Sequence, residues 1–133
     1  MIMKREIKFR GKSTDTGKWV YGFLSFFYTA GRDENGLIFT DKARIYSSEA
    51  SCCYDVWAET VGQFTGLCDK NGKEIYEGDI LVYRQWTALV LWNKELATFA
   101  LQFDFEKEVG MKPLGEWRTM TIVSNIYDNP NLI

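Results

Sequence analysis

The stretch TFALQFDF, residues 98–105, alternates without a break. Phe99, Leu101, Phe103 and Phe105 fall on one side of an extended chain, and Thr98, Ala100, Gln102 and Asp104 on the other. A helix would scatter those four aromatic and aliphatic positions around its circumference. A strand lines them up on one face. REIKFR repeats the pattern near the start, with Ile7 and Phe9 opposed to Lys8 and Arg10. Short alternating runs broken by turn chemistry continue along the chain. They restrict it to the all-β class, as a small barrel or sandwich.

Turn residues divide these runs. Thr14 to Lys18 predicts a turn, with Gly17 free to take positive φ. WVYGFLSFFYT predicts a long strand, Trp19 to Tyr28, apolar on both faces and therefore covered on both. Gly22 inside it predicts a bulge or bend. Ala30 to Gly36 reads as an open loop and LIFT as a short strand. Residues 41–59 are ambiguous by pattern: strands at Ala43–Tyr46 and Tyr54–Trp57 around a serine-rich loop, or a short helix. Asn71-Gly72 predicts a type I′ hairpin, and Glu77-Gly78 a second tight turn. Ile80 to Tyr83 enters a strand. Thr87 to Trp92 and residues 98–105 form the arms of a longer hairpin. EKEVGMKPLGE reads as a loop marked by Gly110, Pro113 and Gly115, and WRTMTIV as the last strand. SNIYDNPNLI ends the chain as a turn capped by Ser124 or Asn125 and stopped at Asn129-Pro130. No sequence repeat or linker is visible. The expectation is one unit, 1–133, with a β-rich N-terminal part, 1–65, and a part, 66–133, able to close a five-stranded SH3-like barrel.

Composition excludes several kinds of chemistry. The chain has 133 residues, no histidine, 16 basic and 18 acidic residues, and a net charge of -2. Ser-His and Cys-His catalysis are excluded, and no G-x-S-x-G, P-loop or G-x-G-x-x-G motif occurs. We expect a non-enzymatic protein without cofactor or metal. The net charge gives no global attraction to phosphate. Lys4, Arg5, Lys8, Arg10 and Lys12 cluster near the start and read first as a solvated strand face. Cys52, Cys53 and Cys68 form no metal-ligand pair and read as small buried hydrophobes in a reducing compartment. MIMKREIKFR lacks the apolar core of a signal peptide, and no run is long and apolar enough to span a bilayer. A cytoplasmic protein with no membrane contact is expected.

Two groups compete as sites. Asp69, Glu74, Glu77 and Asp79 crowd into GLCDKNGKEIYEGDIL, residues 66–81. They resemble part of a calcium loop, but glycine stands fourth rather than sixth, and Ile80 occupies the place of the bidentate glutamate. We read them as turn residues. Tyr76, Tyr83, Trp86 and Trp117 could stack bases or sugars, with Arg84 adding charge between Tyr83 and Trp86. The structural alternative assigns these aromatics to the core. Tyr76, Tyr83, Arg84 and Trp86 are the binding candidates.

REIKFRG, TVGQFTGLCDKNGKEIYEGDIL and IVSNIYDNPNLI, in that order, closely resemble the YopX family of phage and prophage proteins. This chain has Gly11-Lys12-Ser13 where the family pattern carries Ala-Trp-Asp, Ser124 where it carries glycine, and Cys68 where a charge is common. Met3 fits the family start as an alternative initiator. The resemblance implies a mostly β fold, an SH3-like barrel in the C-terminal half and a bacterial, phage-derived setting. It supplies no activity and no catalytic residues. The leading expectation is a protein-interaction or self-assembly module. The alternative is a nucleic-acid-binding module using the N-terminal basic strand or the Tyr83–Trp86 patch.

Overall fold

The computed structural model describes residues 5–103, 111–113 and 117–132. Lys4, Asp104, Phe105, Gly110 and Gly115, which the sequence reading assigned to strands and loops, lie outside the described residues. Among the described residues the chain is all-β, its ladders antiparallel, with only single 3₁₀ turns as helical elements. It divides into two compact units, Met1–Gln63 and Phe64–Ile133.

The first unit contains β1 (Phe9–Lys12), β2 (Trp19–Phe27), β3 (Gly31–Arg32), β4 (Ile38–Phe39), β5 (Lys42–Ser47), β6 (Cys52–Trp57) and the start of β7 (Gly62–Cys68). Its strands form the run β6-β5-β2-β1-β7 of a six-stranded sheet whose last strand is β8 (Glu74–Tyr76). Val20 and Leu24 of β2 point inward onto Ala43, Ile45 and Val56, with Phe9 and Val61 beside them. Ser13 bridges to Val56, and the Thr14 amide donates to the Asp55 carbonyl at 3.0 Å. The sheet therefore curls until its β6 edge meets the end of β1. A 3₁₀ turn, Ala58–Thr60, leads into β7. Thr60 Oγ1 accepts the Lys12 amide at 2.8 Å and donates to the Trp57 carbonyl at 2.7 Å. The ambiguous stretch 41–59 thus holds two strands and a turn, not a helix.

Three expectations need correction. Only one face of β2 is covered. Tyr21, Phe23, Phe26 and Phe27 remain roughly half exposed, because only the inward positions meet the small aliphatic core. Cys52 and Cys53 are exposed rather than buried, and Cys68 is intermediate. Cys52 and Cys53 pair with Ser47 and Tyr46, at the opposite end of the ladder from the core pair Ala43–Val56. The bulge in β2 lies between Leu24 and Phe26, not at Gly22. Gly22 serves a different need. A Cβ there would stand 1.9 Å from the Tyr46 carbonyl oxygen, so the backbones approach as only glycine allows.

The second unit continues β7 and adds β8 (Glu74–Tyr76), β9 (Asp79–Tyr83), β10 (Trp86–Asn93), β11 (Thr98–Phe103), β12 (Met111–Pro113) and β13 (Thr121–Asn125). Its sheet runs β12-β11-β10-β9-β13. Leu101 and Phe103 of the alternating stretch enter a core with Ile75, Leu81, Val90 and Met120. The expected last strand begins late: Trp117–Thr119 is a 3₁₀ turn, and pairing starts at Thr121. The expected loop before it contains β12. At the C-terminus Asn125 is the cap, its Oδ1 accepting the Tyr127 and Asp128 amides at 3.0 and 2.9 Å. Pro130 opens a 3₁₀ turn instead of ending one, as its fixed φ favours.

The two sheets share a topology. Counting strands by chain order, the first five strands of the six-stranded sheet and the five of the other both run fourth-third-second-first-fifth, with a 3₁₀ turn between the fourth strand and the fifth. They differ in the connection from second to third strand. In the second unit Asn93 pairs with Thr98, so a tight turn at 94–97 suffices. In the first unit the connection is an arm, residues 28–41. It carries its own two-stranded sheet, β3 on β4, and isolated backbone bonds flank it: the Tyr28 amide donates to the Lys42 carbonyl at 2.8 Å, the Ala30 amide to the Phe39 carbonyl at 2.9 Å and the Asp33 amide to the Leu37 carbonyl at 2.9 Å.

Gly22→Ala should lower stability by roughly 2–3 kcal/mol, because backbone rather than a yielding side chain blocks the methyl group. Gly17→Ala meets open space but keeps φ near +72° and should cost about 1 kcal/mol. Urea denaturation midpoints of the two variants check this order.

Candidate functional site

Two of the four crowded carboxylates hold the backbone, and the Glu74 carboxylate instead accepts the Tyr76 hydroxyl at 3.4 Å. Asp69 is buried, and its Oδ1 accepts the Asn71 and Lys73 amides, both at 2.9 Å. Its Oδ2 accepts the Ile122 amide at 3.0 Å. Asp79, also buried, accepts the Tyr76 amide at 2.7 Å. The hairpin is not type I′: of Asn71 and Gly72 only the glycine takes positive φ, at +80°. Asp69 replaces the expected geometry with a side-chain-held turn closed by Gly72 N–H to the Asp69 carbonyl, 3.0 Å. Among the described residues no three Cys, Asp or Glu side chains gather as a metal site.

The aromatic candidates separate. Tyr76 is only 2% exposed and packs on Phe64, ring centroids 5.5 Å apart. It offers no face to a ligand. Tyr83, Arg84 and Trp86 do come together. Tyr83 pairs with Trp86 across a two-residue loop, their rings lie 6.4 Å apart, and the Arg84 guanidinium sits 5.2 Å from the Tyr83 ring. Arg84 holds φ +55°, which sets the hairpin tip. Tyr83 and Trp86, however, spend much of their surface on the core.

A larger surface lies on the outer face of the first unit's sheet. Alternation sends Tyr21 and Phe23 of β2 outward, and Phe23 pairs with Tyr46 of β5. These three rings are 46%, 54% and 38% exposed. Cations interleave with aromatics around them. Lys12 lies 5.5 Å from the Trp19 ring and Lys42 5.8 Å from the Trp57 ring. Arg10 of the predicted basic strand is buried over Trp19, 4.5 Å from the ring centre. Arg44 lies 5.6 Å from both Phe26 and Tyr28 and donates to Asp55 at 3.3 Å. The Asp55 hydrogen bond and Tyr28 raise the Arg44 pKa above its ordinary value. A polar hollow bounded by Ser13, Thr14, Arg44, Cys53 and Asp55 adjoins this face. Sequence reading missed the surface by treating the second apolar row of β2 as buried. The signal was there in the spacing of Tyr21 and Phe23 against Tyr46.

The molecule is thus an all-β protein of two small antiparallel units, with an open aromatic–cationic face on the first. It belongs to the YopX protein family, whose model matches residues 8–133. The fold is similar to that in the crystal structure of protein EF1440 from Enterococcus faecalis. That comparison has a TM-score of 0.53 and 24% identity, covering 97% of this chain and 99% of that one. No curated protein matches the chain. No helix among the described residues is long and apolar enough to cross a membrane. At Ser124, where the family pattern has glycine, φ is not positive, so serine fits without strain.

Two outcomes follow. Burial alone would raise the Asp69 pKa, but the Ile122, Lys73 and Asn71 amides and the Lys73 charge outweigh it and hold it below 3.8. A depressed folded value means the fold favours the carboxylate. Its stabilisation is complete above the unfolded pKa of about 3.9 and is lost as pH falls through the lower folded value. Asp69→Asn should therefore cost about 1–3 kcal/mol at neutral pH. The gap to the parent should narrow below pH ~4, as urea denaturation across pH will read. Separately, Cys52 and Cys53 should react with a colourimetric thiol reagent in the native protein, and Cys68 more slowly.

Proposed function

We propose that this protein is a non-enzymatic accessory protein of phage or prophage origin, working in the bacterial cytoplasm, that acts by binding another protein. The outer face of the first unit is its contact surface. The observation that carries this reading is the row Tyr21, Phe23 and Tyr46, three neighbouring rings left open to solvent beside cations. Aromatic residues and arginine are the residue types enriched in protein interfaces, and contiguous exposed apolar surface marks an interaction site. We read the shared strand order of the two units as that of SH3-like barrels, a scaffold that hosts many binding functions. The absence of histidine and the structural use of Asp69 and Asp79 support a role without chemistry.

A second reading, single-stranded nucleic acid, is favoured by one observation: lysines stand over the Trp19 and Trp57 rings, the pairing of charge and stacking that such binding uses. A photo-crosslinking amino acid in place of Phe23, expressed in host cells, separates the two. Protein adducts at position 23, with none from the same probe at exposed Val123 of β13, support protein binding. Adducts confined to nucleic acid select the second reading, and no adducts at all defeat both.

A further inference from the structure

The arm, residues 28–41, stands out from the fold. From Thr29 to Asp41 every residue but Gly31 is exposed, and Leu37, Ile38 and Phe39 are 65%, 57% and 50% exposed. An isolated two-stranded hairpin is marginal in water, and such apolar residues on one are a liability unless something covers them. The same connection in the second unit is a tight turn, so the strand order does not require an arm. Its charge is also distinctive. Asp33, Glu34 and Asp41 face a single cation, Arg32. The strands of the outer face have the opposite balance: Lys12, Lys42 and Arg44 outnumber Asp55, which accepts from Arg44, while of the loop acids at its margins Asp15 lines the hollow beside Arg44, and Glu49 the one beside Lys18 and Tyr21.

We propose that the arm of one copy docks on the outer face of a second copy, with Leu37 to Phe39 on Tyr21, Phe23 and Tyr46, and the arm's acids toward the lysines. This rests on the reading of that face as a protein-binding surface and names its occupant. Charge complementarity carries the choice. Two outer faces meeting each other would bring like charges together, whereas arm on face joins opposite ones. The arm cannot serve its own face. Folding it back onto that face would break the Tyr28–Lys42 and Ala30–Phe39 hydrogen bonds at its base. The contact is therefore head-to-tail, and it builds a ring if the rotation closes or a chain if it does not.

The test is the oligomeric state of the whole protein by light scattering and sedimentation. The parent should assemble in a concentration-dependent way, less so as salt rises. Glu34→Lys with Asp41→Lys on the arm, or Lys12→Glu with Lys42→Glu on the face, should each weaken assembly roughly tenfold or more. Circular dichroism and urea midpoints confirm that each variant is folded. Combining all four changes in one chain should restore assembly, and so should mixing the two double variants, since each then meets its opposite. A parent that stays monomeric up to about 100 μM, where a micromolar contact would be saturated, overturns the proposal. So does assembly indifferent to both reversals, or a four-fold variant that remains as weak as the doubles. Position-23 adducts to another protein with a monomeric parent would sink this inference while leaving the protein-binding reading intact. Oligonucleotide binding lost only in the face variant, with no assembly, would sink both.

Discussion

One carboxylate organises the second unit. Asp69 gathers three backbone amides, two from its own turn and one from Ile122, 53 residues further on. The Lys70 amide adds a bond to the Met120 carbonyl at 2.9 Å. The turn before β8 and the start of β13 are therefore fixed to each other by a charge held out of water. Such a charge is tolerable only when fully hydrogen-bonded. The register of β13 on β9 follows from this anchor, including the irregularity between Ile122 and Ser124 that sets Asn125 opposite Asp79. Asp79 then secures the Tyr76 amide. Asp69 and Asp79, two of the acids that look most like chemistry, are consumed in placing strands.

How much of this could be read from sequence depends on what each signal measures. Alternation identifies strands, because period two and period 3.6 are easily told apart over five or more residues; it placed β11, but in REIKFR it marked a strand too early, since β1 runs from Phe9 to Lys12 and residues 5–8 are not in a strand. The family resemblance, carried by three long motifs, is matched by the family model over residues 8–133. Alternation does not say whether a second layer exists. The two apolar rows of β2 look alike as sequence, yet Val20 and Leu24 are packed while Tyr21 and Phe23 are open. The hairpin at Asn71-Gly72 was legible as a turn but not as a type, since Asp69 supplies a hydrogen-bonding alternative that dipeptide statistics ignore. The thiols were misjudged for a similar reason: burial reflects distance from the core along a ladder, and residue type carries only an average.

The common strand order of the two units left no trace as a sequence repeat. A fold of this size is specified by which positions face inward, and aliphatic or aromatic residues of many kinds satisfy that. Ala43, Ile45 and Val56 fill one interior, and Leu81, Val90, Leu101 and Met120 the other. Strand lengths and connections also differ, so no fixed period survives. What the comparison does isolate is difference at equivalent places. Both units need a link between second and third strands, and the second unit meets that need with a tight turn.

The arm is therefore more than the topology requires, and its composition is not that of a passive loop. A solvated loop of this length would be polar throughout, since nothing offsets the ordering of exposed apolar side chains. Instead Phe39 packs its ring edge about 3.4 Å from where a Cβ on Gly31 would lie. Leu37 and Ile38 stay exposed. Asp33 Oδ1 accepts the Asn35 and Leu37 amides, both at 2.9 Å, and Arg32 donates to the Gly36 carbonyl at 2.8 Å. These local bonds preorganise the tip, which lowers the entropy lost on docking. An ordered hairpin with apolar residues turned to water is stable only marginally by itself and favourably against a surface of matching chemistry. In the proposed docking the open aromatic row with its lysines is that surface, and every copy of the chain carries both halves.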